Sequence, residues 1–148
     1  MRLLLDTNVL LLWLVGLVNP AAIGKKRLKN FDATDFLLVK EWAAQTDRHI
    51  STPHVLSEVS NFLDSGEREL VRGGIDQFKE YVSRLEEIHQ PAKDVVWTAE
   101  FDQLGLTDTA ILHLARSDTR VISVDFHLCN RLAAKGVEAL NPYNFRLQ

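Results

Sequence analysis

The feature that most constrains this chain is a short apolar run near its start that ends on a carboxylate. The run Leu3–Leu5 is typical of a strand buried in a parallel sheet, and Asp6 follows it directly. A second apolar run, Val9–Val18, predicts a helix of two to three turns. A strand, an acid and a helix in this order are typical of a site at the carboxyl edge of a parallel sheet.

The rest of the chain alternates strand-like and helical segments. Further strands are predicted at His49–Ser51, Thr119–Val124 and Val137–Leu140. Helices are predicted at Asp32–Gln45, Pro53–Asp64, within Ser65–Ile88 with a break at Gly73, at Asp94–Gln103, from about Leu104 to Arg116, and at Phe126–Lys135. This alternation predicts an α/β fold with a parallel sheet covered on both faces. With 148 residues, a single domain over residues 1–148 is expected.

Charge, cysteine content and the amino-terminal segment bear on partners and compartment. The net charge of −3 shows no overall basic field for nucleic acid, although a local patch can suffice. Cys129 is the only cysteine, which fits a reducing compartment. The apolar run Val9–Val18 is too short for a membrane span of about 20 residues. The segment before it also lacks the positive excess of a signal peptide. We therefore expect a cytoplasmic protein without a membrane segment.

Four acids stand out as candidate site residues. Asp6 and Asp125 each end a predicted strand, Glu58 borders the apolar side of its helix, and Asp108 falls in an inward first turn. The carboxyl ends of parallel strands open on one edge, where Asp6 and Asp125 should meet and which the helix start at Asp108 should face. A purely structural interpretation stays open, in which Glu58 is a residue at the rim of the core with its carboxylate in water and Asp108 stabilises the start of its helix.

Carboxylates that converge in this way repel one another, and a hard divalent cation removes the repulsion. Mg²⁺ prefers oxygen ligands, keeps several waters and needs only one or two carboxylates directly. Such a site suits phosphodiester hydrolysis, because the metal activates a water and neutralises charge that builds on the phosphate. The sequence offers no rival scheme, since it has neither a P-loop nor a zinc-ligand spacing among its five histidines.

Residues 4–10, Leu-Leu-Asp-Thr-Asn-Val-Leu, resemble the opening signature of the PIN domain family. These are metal-dependent ribonucleases, many of them VapC-type toxins of toxin–antitoxin pairs. The resemblance continues along nearly the whole chain. Glu58 resembles the family's helical glutamate, Asp108 its third acid and Asp125 its fourth, with Ser123 in the usual hydroxyl position.

The resemblance implies a three-layer α/β/α fold with a mostly parallel sheet of about five strands. It implies dependence on Mg²⁺ or Mn²⁺ and cleavage of single-stranded or structured RNA. Asp6, Glu58, Asp108 and Asp125 would form the catalytic metal site, and Asn8 would orient Asp6 or a metal water. A homodimer and an antitoxin protein wrapped across an apolar groove are the partners that the resemblance suggests.

The chain departs from the family pattern in Val15–Phe31, which is longer and more basic than a short connection requires. The helical region Ser65–Ile88 is also longer than the family pattern requires. The basic loop is interpreted either as a solvated connection or as a phosphate contact near the mouth of the site. Its candidate RNA-binding residues are Lys25, Lys26, Arg27 and Lys29.

Two other functions remain open. A PIN-like module could bind RNA or protein without cutting, with the acids serving only as helix caps. Alternatively, Asp6 could be a covalent nucleophile, as in aspartyl-phosphate phosphatases. Those enzymes usually carry a second Asp two residues on, where this chain has Asn8.

Overall fold

The first strand lies at the centre of the sheet and organises the rest of the chain. The computed structural model describes residues 1–64 and 73–146. The strands are β1 (Arg2–Leu5), β2 (His49–Ser51), β3 (Glu86–Glu87), β4 (Thr119–Ile122) and β5 (Glu138–Leu140). They form one all-parallel sheet in the order β3-β2-β1-β4-β5, flanked by helices. The predicted α/β fold with a mostly parallel sheet of about five strands is thereby confirmed.

The register of the sheet brings the carboxyl ends of its inner strands to one edge. Leu4 pairs with Ile50 on one side of β1, and Leu5 pairs with Ile122 on the other. Leu3, Leu4 and Leu5 are each at most 1% exposed, because helices cover the sheet. The residues that follow β1, β2 and β4 therefore emerge side by side.

The helices of the described residues largely follow the predicted pattern. They are α1 (Thr7–Val18), α2 (Ala33–Ala43), α3 (Pro53–Asp64), α4 (Gly74–Arg84), α5 (Ala92–Val95), α6 (Phe101–Leu114) and α7 (Phe126–Ala134). Short 3-10 turns occupy Pro20–Ala22, Lys26–Leu28 and Pro142–Phe145.

Helix α1 packs closely against α2. A Cβ added to Gly16 would lie 2.5 Å from the ring of Phe36, so the two helices meet where α1 has no side chain. Eight of the twelve residues of α1 are buried, which explains why its sequence is apolar on nearly every side.

Two elements differ from the sequence-based expectation, and part of one of them lies outside the described residues. The helical region predicted at Ser65–Ile88 is wrong at its carboxyl end, because α4 ends at Arg84 and Glu86–Glu87 form the edge strand β3. Both glutamates are exposed, so β3 carries none of the apolar alternation by which strands are recognised. The helix predicted at Asp94–Gln103 is wrong in extent, because α5 ends at Val95 and α6 begins at Phe101. The first part of the predicted helical region Ser65–Ile88, residues 65–72, lies outside the described residues.

The carboxyl-terminal segment is attached to α2 through a buried acid. Asp35 is 1% exposed, and its Oδ2 accepts the backbone N–H of Asp32 in a capping box. Arg146 donates from Nε to Asp35 Oδ1 at 3.1 Å and from a second nitrogen to Asn30 O at 2.7 Å. This arrangement pairs a buried carboxylate with a cation 111 residues away.

Among the helices of residues 1–64 and 73–146, none combines the length and the apolar character needed to span a bilayer.

Candidate functional site

Two of the predicted acids follow neighbouring strands and cap helices. Asp6 follows β1, and its Oδ1 accepts the backbone N–H of Thr7 at 2.7 Å at the start of α1. Asp125 lies three residues beyond β4, and its Oδ1 accepts the backbone N–H of Leu128 at 2.8 Å at the start of α7. Because β1 and β4 are adjacent and parallel, both acids lie at the same edge of the sheet.

Ser123 connects these two acids. Its Oγ donates a hydrogen bond to Asp6 Oδ2 at 2.7 Å and accepts the backbone N–H of Asp125 at 3.0 Å. The Ser123 side chain is fully buried, so water does not compete for these bonds. The hydroxyl thus sets the orientation of the Asp6 carboxylate, and it directly links Asp6 to the Asp125 backbone.

Glu58 is held by two threonine hydroxyls from other helices. Thr7 Oγ1 at the start of α1 donates to Glu58 Oε2 at 2.8 Å, and Thr107 Oγ1 on α6 donates to Glu58 Oε1 at 2.7 Å. Sequence reasoning did not single out either threonine. The one available signal was that Thr7 follows Asp6 and Thr107 precedes Asp108, so each hydroxyl is adjacent to a candidate acid.

Asp108 reaches the same region because α6 is broken at Gly105. The φ of Gly105 is 79°, a left-handed conformation that favours glycine, and it interrupts the helix three residues before Asp108. Asp108 consequently lies in the first turn of the second half of α6. Burial raises its pKa to about 8 from an ordinary value of 3.8, with further contributions from Asp6, Asp125 and Glu58.

The pKa of Asp6 is also raised above its ordinary value. Burial is the largest cause, and the nearby Asp125 and Glu58 carboxylates add to it. Hydrogen bonds from Ser123 and Thr7 act in the opposite direction. Among the described residues, none of the groups that shift the pKa of Asp6 or Asp108 is a cation. The acids are thus close enough to repel one another, and no cation in the described part of the chain offsets the shift at Asp6 or Asp108.

All four predicted acids line one open cavity of about 600 Å³. Asn8 also lines it, whereas Ser123 lies beneath the lining and reaches it through Asp6. From the basic loop, Arg27 reaches the cavity, while Lys25, Lys26 and Lys29 are not among its lining residues.

The donor set of this cavity fits a hard divalent cation in its chemistry, because carboxylate oxygens predominate and they repel one another. The side chains are not gathered around a single point. Within residues 1–64 and 73–146, no three His, Cys, Asp or Glu side chains are grouped so that they could hold a metal ion. This spacing suits Mg²⁺ bound by one or two carboxylates with water as its other ligands better than a closed cage of protein atoms.

A scan against protein-family models and a search of the curated proteins each found no match to this chain. Function is therefore inferred from the geometry of the cavity and from the resemblance of its residues to the PIN domain family.

Proposed function

We propose that this protein is a divalent-metal-dependent ribonuclease and that it acts as the toxin of a toxin–antitoxin pair. The observation that carries the proposal is the convergence of Asp6, Glu58, Asp108 and Asp125 on one cavity at the carboxyl edge of a parallel sheet. These are the positions at which the chain resembles the PIN domain family. Mutual repulsion among uncompensated acids is the electrostatic condition that a bound cation relieves.

The acids would have different tasks. Asp6 and Asp108, whose pKa values are raised, are the best candidates for direct contact with Mg²⁺ or Mn²⁺, because a cation returns both to their charged form. When bound, the metal supplies an activated water and charge neutralisation at the scissile phosphate. Glu58, held by Thr7 and Thr107, would orient a water molecule. Asp125, at the start of α7, would also orient a water molecule.

The test is cleavage of a fluorescent RNA oligonucleotide in the presence of Mn²⁺ or Mg²⁺. Wild-type protein should cleave it, and a chelator should abolish cleavage. Asp6→Asn should lower the rate by more than the roughly 10–100-fold typical of changes around metal ligands. The fold should be retained, because the amide oxygen still accepts the Thr7 N–H. Asp94→Asn is the matched control, since Asp94 is exposed on α5 and outside the cavity lining.

A non-catalytic RNA- or protein-binding module is the second candidate. The observation that favours it is the same spacing of acids, because in the described ranges no three of them form a metal-holding group. Titration with Mn²⁺ separates the two candidates. A thermal shift with Mn²⁺ that is lost in Asp6→Asn supports the nuclease, whereas no affinity together with undiminished RNA binding supports the module.

The toxin role has its own test. Induction of the wild-type chain in a bacterial host should arrest growth, and Asp6→Asn should not. Co-expression of the product of a neighbouring small reading frame that encodes a DNA-binding antitoxin should restore growth. Arrest of equal strength by Asp6→Asn would contradict a toxin that acts by cleavage.

A further inference from the structure

We propose that Arg27, held against the ring of Phe62, binds the backbone phosphate next to the one that is cut. The substrate is then a polynucleotide strand that passes along α3, with two successive phosphates engaged. This inference rests on the proposed ribonuclease function, and it identifies which part of the basic loop meets the substrate.

The position of Arg27 relative to the acids follows from α3. Its guanidinium carbon lies 4.1 Å from the centroid of the Phe62 ring, and both residues line the acidic cavity. Phe62 is four residues after Glu58 on the same helix, so the two side chains share one side of it. At 1.5 Å rise per residue, the cation is placed about 6 Å along α3 from Glu58.

The guanidinium is available to an anion. Arg27 is exposed, and stacking covers one face of its planar group while its N–H edge can still donate. No ion pair among the described residues involves Arg27. It is also not among the groups that act on Asp6 or Asp108. Arg27 therefore does not offset the raised pKa of these two acids, although it lines the same cavity.

A phosphodiester chain carries one phosphate for the metal and a neighbouring phosphate for Arg27. Four carboxylates repel a polyanion, and a metal compensates only at the scissile phosphate. A fixed guanidinium one helical turn away offers bidentate hydrogen bonds to the adjacent phosphate. The ring of Phe62 limits the rotamers of Arg27, which reduces the entropy lost on binding. Lys25, Lys26 and Lys29 of the same loop are not among the residues that line the cavity.

The experiment measures binding and cleavage separately. Binding of a fluorescent single-stranded RNA is followed by anisotropy at several salt concentrations, with Asp6→Asn as the parent so that nothing is cut. Adding Arg27→Ala should weaken binding roughly tenfold and lower the salt slope by about 0.7. Phe62→Leu keeps an apolar side chain without the ring and should weaken binding roughly two- to fivefold. Circular dichroism and the melting temperature confirm that each variant is folded.

Two charge controls show whether the effect is local. Arg48→Ala removes the same charge from an exposed residue that precedes β2, at the opposite edge of the sheet, and should leave binding at the parent value. Lys29→Ala removes a charge from the same loop and should have a much smaller effect than Arg27→Ala. Equal weakening by either control, or no weakening by Arg27→Ala, overturns the inference.

Cleavage of short substrates provides the second readout. A dinucleotide with a single phosphate should be cut equally by wild type and Arg27→Ala. A trinucleotide with two phosphates should show a higher KM in Arg27→Ala with a smaller change in kcat. If Arg27→Ala cleaves both substrates like wild type, this inference alone is refuted. Binding that depends on Arg27 without any cleavage by wild type refutes the ribonuclease proposal and keeps Arg27 only as a phosphate contact.

Discussion

Acids that are shielded from solvent occur in two different electrostatic environments in this protein. Asp35 is 1% exposed and is paired with Arg146, which also anchors the carboxyl-terminal segment. Asp6 and Asp108 lie at the cavity with raised pKa values, and no described residue among the groups that shift them is a cation. The Asp35 carboxylate in turn raises the pKa of the Arg146 guanidinium.

The contrast separates structural acids from functional ones. A carboxylate that serves the fold has a cation within hydrogen-bond distance, because an unpaired buried charge is costly. A set of acids that repel one another destabilises the protein unless something else binds there. Four measurements test this contrast, and they are given in order of decreasing effect.

The largest effect is expected from Mn²⁺. At 100 times its dissociation constant, a ligand that binds only the folded state stabilises it by about 2.7 kcal/mol. Wild type and Arg146→Ala should gain this increment in urea unfolding, whereas Asp6→Asn should not. An equal gain in Asp6→Asn would mean that the ion binds elsewhere, and the functional half of the contrast would fail.

The second effect is the loss of the structural pair. Arg146→Ala should lower the free energy of unfolding by about 2 kcal/mol, less than the ~3–5 kcal/mol of a fully buried pair, since the Arg146 side chain is 38% exposed. Arg146→Lys keeps the charge without the planar fork and should fall between the two. Urea unfolding measures all three proteins. A neutral Arg146→Ala would show that Asp35 does not need its cation.

The third effect concerns the hydroxyls that hold Glu58. Thr107→Val keeps the shape of the side chain and removes the hydrogen bond to Glu58 Oε1, and it should lower the rate of RNA cleavage by about tenfold. Thr109→Val is the control, because the Thr109 hydroxyl is buried two residues away and has no hydrogen-bond partner among the described residues. If both variants cleave like wild type, Glu58 does not need the Thr107 hydroxyl.

The smallest effect is on the pH dependence of stability without metal. Because the pKa of Asp108 is raised from 3.8 to about 8, the folded state holds its proton more tightly than the unfolded state. The stability that this proton contributes is present below about pH 4 and is lost as pH rises through about 8. Asp108→Asn cannot titrate, so it should flatten the fall in melting temperature between pH 5 and 9 by at least ~2–4 °C. Asp94→Asn should keep the wild-type slope, and an unchanged slope in Asp108→Asn would contradict an uncompensated acid.

Much of the fold could be predicted because its signals are local. The apolar run of β1, the Thr52-Pro53 start of α3 and the acid after each of two strands are read directly from neighbouring residues. Strand β3 could not be predicted, since Glu86 and Glu87 form a strand only because Ile50 and Ser51 offer them a free edge. No local signal in the sequence marks the end of α5 at Val95.

The alternation of strands and helices follows from local sequence patterns, because periodicity and strand ends are properties of neighbouring residues. The shared sheet edge of Asp6 and Asp125 follows from that alternation. The contacts of Thr7 and Thr107 with Glu58, which lies 51 and 49 residues away from them, arise only from the packing of the folded chain. The stacking of Arg27 on Phe62 and the pairing of Arg146 with Asp35 arise in the same way. These contacts depend on how distant segments pack, and no pattern within either segment specifies the partner.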